Sequence, residues 1–387
     1  MDFQQTDERR MLADTLTRFV AQDYPLDARL AAGAGVPGYA PEKWRALADL
    51  GVHGALFDPR DGGYGGAGFD LMVVFEAVGR GLIVEPLLAS AVLAGGALAQ
   101  AADPKTKSGQ KEHLAGLVSG EKQATLAHFE ANDGWDPTHI ETTARKTDGG
   151  WVLNGKKSVV RAAESADFLI CSARSSGVPG DKDGLSLFLL EMDGPKDGVT
   201  LQSSQTIDGG RVSDITLGDV TLPETALIGR AGQAWAPLQS VLGRGVMCLS
   251  AEAVGLMDVI RDMTLEYLRT RKQFGQPIGR FQALQHRMAT LVLEIEQARA
   301  AVINAAAALS GDTTDGIATA RALSAAKYTV AEVGTLVAEE AVQMHGGMGM
   351  TWEYPLGHYV KRLIMIGHEM GDGDYHLSRY IRLGEAT

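Results

Sequence analysis

The stretch that decides the fold reads Arg271-Lys272-Gln273-Phe274-Gly275-Gln276-Pro277-Ile278. It interrupts one helical pattern, and a second helical pattern begins at Phe281-Gln282. A basic turn with a glycine between two helices is typical of a helix C-terminus. The same residues also suit an anion, because arginine offers a planar fork of donors and phenylalanine can pack on a planar ring. From these residues alone, both interpretations stand.

Helical periodicity continues on both sides of this turn. Apolar residues recur at steps of three and four from Val254 to Leu268, from Leu284 to Ile295 and from Val330 to Met344. Long antiparallel helices joined by short loops form bundles. The glycine pair in Gln343-Met344-His345-Gly346-Gly347 either stops the last of these helices or lets the backbone approach a ligand. We predict a helical bundle over residues 229–387.

The middle of the chain has the composition and period of β-strands. Asn154-Gly155 lies within the β-prone run from Trp151 to Val160, and it is a strong cue for a β-hairpin because both turn positions favour positive φ. Further strands are predicted at three apolar runs between polar or glycine-rich turns: Phe168–Ile170, Leu185–Leu190 and Val212–Val220. We predict an antiparallel β domain over residues 123–228.

The N-terminal part of the chain has helical signals again. Thr6 is a predicted N-cap, and Asp7 and Glu8 follow in the first turn, where negative charge favours the helix dipole. Pro41 opens another predicted helix. The sequence therefore predicts an α+β protein. An N-terminal helical domain, residues 1–122, precedes the middle β domain and a C-terminal helical bundle.

Composition and charge narrow the functional classes. The chain has 387 residues and a net charge of −12, and an acidic surface repels phosphate backbones, so we expect no nucleic-acid partner. Cys171 and Cys248 are too few for a disulfide framework or a four-cysteine zinc site, and we expect no metal. The polar stretch Met1–Glu8 and the absence of a run of 18 apolar residues favour a cytoplasmic protein without a membrane span.

Taken together, these pieces resemble the acyl-CoA dehydrogenase superfamily over the whole chain. The motifs that carry the resemblance have the family's order and spacing: Trp44 with Leu47–Gly51, Gly62-Gly63, Glu76 with Gly79-Arg80, Leu153–Lys157, Arg271–Gly275, Phe281-Gln282, Gln343–Gly347 and Glu353–Pro355. The resemblance implies the acyl-CoA dehydrogenase fold, in which the C-terminal domain is a four-helix bundle. The ending, Met365 to Leu377, looks most like the small subunits of two-component bacterial enzymes of the pimeloyl-CoA or steroid side-chain type.

The resemblance also implies an activity, a cofactor and partners. Family members dehydrogenate an acyl-CoA thioester between its α and β carbons with FAD, and pass the electrons to an electron-transfer flavoprotein. By similarity, six residues would hold the FAD diphosphate and adenine end, mainly on the neighbouring subunit: Arg271, Phe274, Gln282, Gln343, Gly346 and Gly347. This arrangement implies a homo-oligomer, or an α₂β₂ heterotetramer with a larger homologous subunit.

The positions that would face the flavin depart from the family pattern. The family's tryptophan and threonine beside the flavin ring become Val159 and Arg161, and the polar residue on the preceding strand becomes His128. His128 and Arg161 are the cofactor-binding candidates at these positions.

The family's catalytic glutamate is absent from both of its usual places. The earlier place falls on Gly245, which would leave room for a bulky acyl group. The later place falls on Met370 or Asp372, depending on where a gap is put. Asp372 is the candidate base, since a carboxylate is needed to take the α-proton, and its alternative is a solvated turn carboxylate. Glu252 and Glu369 are further candidates.

Three functions remain open at this point. The favoured one is an FAD-dependent acyl-CoA dehydrogenase, acting as one subunit of a heteromeric enzyme. The second is a non-catalytic accessory subunit that completes the FAD site of a homologous partner. The third retains the fold with another electron acceptor, as in acyl-CoA oxidases or flavin monooxygenases.

Overall fold

The computed structural model describes residues 6–101, 108–310 and 316–385. Residues 1–5, on which the expectation about the N-terminal stretch partly depends, lie outside this range. The described chain forms two compact units. We call Met1–Arg29, Ala67–Ile83 and Val246–Thr387 the helical unit, and Leu30–Gly66 and Val84–Gly245 the sheet unit. The predicted division at residues 122/123 and 228/229 remains a prediction.

The order of elements is helical, then β, then helical. The helices are α1 Asp7–Asp23, α2 Leu26–Ala34, α3 Pro41–Asp49, α4 Val52–Ala55, α5 Gly68–Gly81, α6 Gly96–Ala101, α7 Ser108–Ser119, α8 Trp235–Thr270, α9 Gln282–Ser310, α10 Gly316–His345, α11 Leu356–His368 and α12 Gly373–Glu385. The strands are β1 Ala124–Ala127, β2 Thr143–Thr147, β3 Gly150–Arg161, β4 Phe168–Arg174, β5 Leu185–Glu191, β6 Val199–Gln205, β7 Arg211–Pro223, β8 Leu227–Ile228, β9 Lys272–Gln273 and β10 Gln276–Pro277. A π-helical segment, Leu88–Gly95, leads into α6.

The start signals read from the sequence are confirmed. The Thr6 hydroxyl accepts a hydrogen bond from the Arg9 backbone N–H at 3.3 Å, as an N-cap does. Pro41 is the first residue of α3, where its missing N–H costs nothing.

Two glycines set how closely helices approach within the helical unit. α5 and α8 cross where Gly79 faces Gly255. A Cβ at Gly79 would overlap the Glu252 carbonyl oxygen, and a Cβ at Gly255 would overlap that of Glu76. The two backbones therefore touch only because neither position carries a side chain.

The sheet unit contains one eight-stranded sheet. Its order is β6-β7-β3-β2-β4-β5-β8, with β1 beside β4. The pairings are antiparallel except β1 with β4 and the single β2–β4 pair of Thr143 with Arg174. Trp151 and Phe188 pack edge to face in its core, with ring centroids 5.2 Å apart. The predicted α+β fold with a middle, largely antiparallel β region is confirmed.

The hairpin predicted at Asn154-Gly155 is wrong. β3 runs through both residues, and they form an irregularity in its pairing with β7. The Asn154 side chain bonds to Asp219 of β7, donating to its carboxylate at 3.0 Å and accepting from its N–H at 2.8 Å. A Cβ at Gly155 would crowd Thr142. The glycine therefore permits a close contact inside the sheet unit, and long-range pairing overrides the local turn signal.

The helix α8 has the length and apolar character of a membrane span. Its most apolar 18-residue window is 83% buried inside the protein. A buried core helix passes the same test of length and composition as a membrane span.

Candidate functional site

The turn between α8 and α9 presents two of the predicted FAD-binding side chains to solvent. α8 ends at Thr270, and the Ile278 N–H closes the turn by donating to the Arg271 carbonyl at 2.9 Å. At the tip, Phe274 and Gly275 both have left-handed φ values, 52° and 77°. Phe274 is 90% exposed. The Phe274 ring meets Phe281 edge to face, with ring centroids 6.1 Å apart, and the rest of the ring is exposed and available to another surface.

The end of α10 presents three further candidates. The helix ends at His345, and Gly346 follows with a φ of 60°, which glycine adopts without steric cost. A Cβ at Gly346 or Gly347 would meet no atom within 4 Å. Gln343 is exposed on the last turn of the helix. A ligand could therefore approach the backbone at the two glycines closely, and the side-chain amide of Gln343 is exposed beside them.

Aromatic contacts bring these two segments to the same end of the helical unit. Tyr267, on the last turn of α8, stacks on His345 with ring centroids 4.5 Å apart. His345 Nε2 also lies 3.3 Å from the Tyr354 hydroxyl. Burial lowers the pKa of His345, so the ring packs there without a charge near pH 7. Because Tyr267 precedes Arg271 by one helical turn and His345 precedes Gly346, the arginine turn and the glycine pair are neighbours.

The chemistry of these side chains fits an anionic dinucleotide such as FAD. We call Arg271, Phe274, Gln282, Gln343, Gly346 and Gly347 the clamp. Within residues 6–101, 108–310 and 316–385, the side chains of Arg271, Gln282 and Gln343 have no hydrogen-bond partner, and all three are exposed. A guanidinium and amides are the donors that a diphosphate and an adenine can accept. The role of each clamp residue remains a prediction.

Asp372 lies directly before α12 and caps it. Its Oδ1 accepts a hydrogen bond from the Tyr375 N–H at 2.8 Å, and its carbonyl accepts one from the His376 N–H at 3.1 Å. Among the residues that the structure describes, the cap bond is the only hydrogen bond of this carboxylate, and Oδ2 has none. The side chain is half-buried. A helix cap and a proton acceptor are therefore both compatible with this position.

The other carboxylate candidates are held by one arginine. Arg362 donates to Glu252 through two nitrogens, at 2.5 and 2.8 Å, and to Glu369 at 2.6 Å. All three side chains are largely buried. A carboxylate whose oxygens are bound by a guanidinium is not free to approach a substrate proton. These ion pairs argue against Glu252 and Glu369 as the base, and neither Gly245 nor Met370 has a group that could accept a proton.

His128 lies in the interior of the protein. The residue is 1% exposed, and its Nδ1 lies 2.9 Å from the Ser172 hydroxyl. Burial, together with the nearby Lys157 charge, lowers the pKa of His128 to about 3, so the ring is neutral. Burial of the ring disfavours direct contact with a cofactor. The role of His128 in binding FAD remains a prediction.

A buried ion pair lies beside His128. Lys157 Nζ donates to Glu130 Oε1 at 2.7 Å, to the His128 carbonyl at 3.0 Å and to Ser172 Oγ at 3.1 Å, which uses all three donors of the ammonium. Burial raises the pKa of Glu130, but the Lys157 charge and the hydrogen bonds, one from the Thr142 hydroxyl, outweigh it and leave that pKa lowered. This pair fixes the loop that follows β1, where the family has a flavin-facing segment.

Arg161 and Val159 are at the end of β3. Arg161 lies 3.9 Å from the carboxylate of Asp208 and is a quarter exposed, so it faces an acid of its own unit. Val159 is 64% exposed with a φ of 54°, and its N–H donates to Asp214 at 2.9 Å. A β-branched residue rarely has this φ, and the β-bulge between Lys157 and Val160 accounts for it. The family's tryptophan position thus carries a small aliphatic side chain.

Three buried cations were not predicted from the sequence: Lys157, Lys327 and Arg362. A signal existed for Lys327, because it lies four residues after Leu323 and three before Val330, on the apolar face of α10. A lysine at an apolar position of a helical pattern predicts a buried charge with partners. In the described parts of the chain, no group of three or more His, Cys, Asp or Glu residues could hold a metal ion.

Comparison with known proteins identifies the family. Three family descriptions match: acyl-CoA dehydrogenase N-terminal domain at residues 6–121, middle domain at residues 125–220 and C-terminal domain at residues 232–379. The chain belongs to the acyl-CoA dehydrogenase family. It is an oxidoreductase, an FAD-dependent acyl-CoA dehydrogenase, and the predicted superfamily, activity and cofactor are confirmed.

Similarity to individual proteins extends over nearly the whole chain. Acyl-CoA dehydrogenase FadE12 of Mycobacterium tuberculosis is 30% identical over 91% of this chain and 89% of that protein. The ChsE4-ChsE5 complex from Mycobacterium tuberculosis contains a chain that is 26% identical, with a TM-score of 0.87 and 100% of both chains covered. A variant of the Tcur3481-Tcur3483 steroid ACAD is 28% identical, with a TM-score of 0.85 over 98% of this chain and 99% of that chain.

Proposed function

We propose that this chain is one subunit of a heteromeric FAD-dependent acyl-CoA dehydrogenase, in which its clamp completes an FAD site on a homologous partner. The observation that carries the proposal is the exposure of the clamp. Arg271, Gln282 and Gln343 point donors at solvent, and Phe274 is 90% exposed. Two of the similar structures support it, since one is the complex of ChsE4 with ChsE5 and the other pairs Tcur3481 with Tcur3483.

Within this assembly, we assign Asp372 as the base that takes the α-proton of the acyl-CoA. Its free Oδ2 can accept a proton, while the bond from the Tyr375 N–H to Oδ1 fixes the orientation of the carboxyl group. The bound FAD would supply the hydride acceptor for the β-carbon. The α-proton of a thioester is weakly acidic, so the base must be held at a defined distance and angle.

A non-catalytic role is the second candidate, and the sheet unit favours it. His128 is enclosed, Arg161 faces Asp208, and Val159 replaces an aromatic residue at the positions expected to face a flavin. In this alternative, the clamp binds the partner's FAD and the chain itself catalyses no reaction.

The proposal also covers the acyl group, the location and the electron acceptor. Gly245 favours a bulky acyl group, such as a steroid side chain, because it replaces a larger residue near the acyl position by similarity. We infer a cytoplasmic location and an electron-transfer flavoprotein as acceptor. Oxygen consumption without an added acceptor would instead indicate an oxidase or a monooxygenase.

Asp372→Asn separates the two candidates. Asparagine preserves the size and the cap but cannot take a proton, so we expect kcat of the FAD-loaded assembly to fall by about 100-fold or more. The control is Asp374→Asn, because Asp374 is an exposed acid on the first turn of α12. If Asp372→Asn and Asp374→Asn are equally active, the base assignment fails and the accessory role stands.

A further inference from the structure

A buried lysine lies beneath the turn that carries Asp372. Lys327, on α10, is 0% exposed. Its ammonium donates to the Gly371 carbonyl at 2.8 Å and to the Gly367 carbonyl at 3.2 Å. Gly367 is in the last turn of α11, and Gly371 lies two residues before α12, so the two carbonyls flank the turn between these helices. We call Gly367–Asp372 the link. One side chain therefore ties down both ends of the segment that delivers Asp372.

The link itself has an unusual backbone. Met370 has a φ of 54° and Gly371 a φ of 102°. Glycine adopts positive φ values readily, whereas methionine rarely does. Two more contacts hold the link: Arg362 pairs with Glu369 at 2.6 Å, and His376 Nε2 lies 3.0 Å from the Met370 carbonyl. A backbone in sparsely populated conformations persists only where its surroundings over-determine it.

Burying the Lys327 ammonium beneath this turn costs desolvation free energy. Burial lowers the pKa of Lys327 to about 8, although the carboxylates of Glu369 and Asp372 act in the opposite direction. Burying a charge costs free energy unless it is paired and hydrogen-bonded, and a hydrophobic side chain would fill the same space without that cost. What a methionine could not provide here is the pair of hydrogen bonds to Gly367 and Gly371. The placement of a cation at this point is thus explained by its effect on the link.

We propose that Lys327 is a positioning residue, which holds the Gly367–Asp372 link so that the Asp372 carboxylate has the orientation needed to take the α-proton. The inference rests on the proposed role of Asp372 as the base. Lys327 acts through the backbone and need not touch the substrate. Its loss should therefore slow proton abstraction and leave acyl-CoA binding nearly intact.

The test is Lys327→Met, measured in the FAD-loaded assembly with ordinary and α-deuterated acyl-CoA. The rate of flavin reduction is expressed per bound FAD, so an unfolded fraction does not contribute. We expect a decrease of about 10- to 100-fold in this rate, because small misplacements of a reacting group have such effects.

KM should change by less than about threefold, and the α-deuterium isotope effect should increase as proton abstraction becomes fully rate-limiting. Lys361→Met is the control, because it removes a lysine of the same unit that lies over Trp352.

A second readout does not depend on activity. Backbone amide hydrogen exchange of the chain should become faster in a peptide covering residues 367–376 in Lys327→Met, and stay unchanged in α9. Lys327→Gln is the second variant, because it leaves no buried charge but its shorter amide cannot bridge both carbonyls. We expect the same slowing of flavin reduction and the same local exchange in Lys327→Gln.

The outcomes separate this inference from the proposed function. If Asp372→Asn is fully active, the base assignment fails regardless of Lys327. If Asp372→Asn is inactive but either Lys327 variant reduces flavin at the wild-type rate with an unchanged isotope effect, the positioning role is overturned. Failure of both variants to fold would also overturn it, in favour of a purely structural role.

Discussion

Individual buried charges in this chain are satisfied by neighbours that are distant in sequence. Lys157 meets Glu130 across 27 residues, and Arg362 meets Glu252 across 110 residues. Single-residue signals such as the Thr6 cap could be read from the sequence, because a cap acts on its own helix. Pairings between elements could not be read, and this is why Glu252 and Glu369 remained candidate bases until Arg362 was located.

The Lys157–Glu130 pair gives a stability prediction. Lys157→Met removes the ammonium and leaves Glu130 as a buried carboxylate with only neutral donors, so we expect a loss of about 3–5 kcal/mol in the free energy of unfolding. Lys146→Met is the matched control, because Lys146 is largely exposed in its pair with Glu224 and should contribute about 1 kcal/mol or less. Urea unfolding of the sheet unit measures both. Equal effects of the two substitutions would contradict the account.

His53 gives a prediction for pH. The residue is 1% exposed, and its ring centroid lies 4.2 Å from that of Trp44. Neither ring nitrogen has a hydrogen-bond partner among the residues that the structure describes. Burial lowers the pKa of His53 from 6.5 to about 4. Below pH 6.5 the unfolded chain gains a proton at His53 that the folded chain does not, so stability falls as the pH drops towards about 4.

His53→Leu should therefore flatten the acid limb of the stability curve. The substitution leaves no orphaned partner, so its effect near pH 7.5 should be small. The exposed His286 serves as the control, and His286→Leu should leave the acid limb as it is in the unsubstituted protein. Thermal unfolding between pH 7.5 and pH 4.5 checks this. An unchanged acid limb in His53→Leu would show that other groups set the acid sensitivity.

At the scale of elements, helices were easier to predict than strands. The long helices α8, α9 and α10 repeat an apolar pattern over many turns, and local caps mark their starts. Strand β3 depends on β2 and β7, which lie far apart in sequence, and the local Asn154-Gly155 signal gave the wrong answer. A local turn signal predicts a turn correctly only where the same residues do not pair with a strand from elsewhere in the chain.

The crossing of α5 and α8 gives a prediction at this scale. Alanine at Gly255 would bring its Cβ onto the Glu76 carbonyl, where backbone cannot move aside cheaply. Gly255→Ala should lower the unfolding free energy by about 1–3 kcal/mol, despite the better helix propensity of alanine. Gly316→Ala on α10 is the control, because a Cβ there would meet no atom of the described residues within 4 Å, and we expect a change within about 0.5 kcal/mol. A stabilised Gly255→Ala protein would show that the two helices do not cross so closely.

At the scale of the whole molecule, the family and the fold could be predicted because motifs from every region keep the same order. The site could be predicted only in part. The clamp consists of residues on two sequence-local segments, so its motifs are recognisable. The base depends on where a gap is placed between α11 and α12, and the exposure of the clamp is visible only in the structure.

The central claim is that the clamp completes an FAD site across two different chains. The direct test measures the native mass and FAD content of this chain expressed alone, and again after co-expression with a larger homologous subunit. We predict that the chain alone binds little FAD and that co-expression yields an α₂β₂ assembly with bound FAD, which Arg271→Ala combined with Gln343→Ala depletes. One FAD per protomer in a homo-oligomer that dehydrogenates acyl-CoA without a partner would contradict the claim.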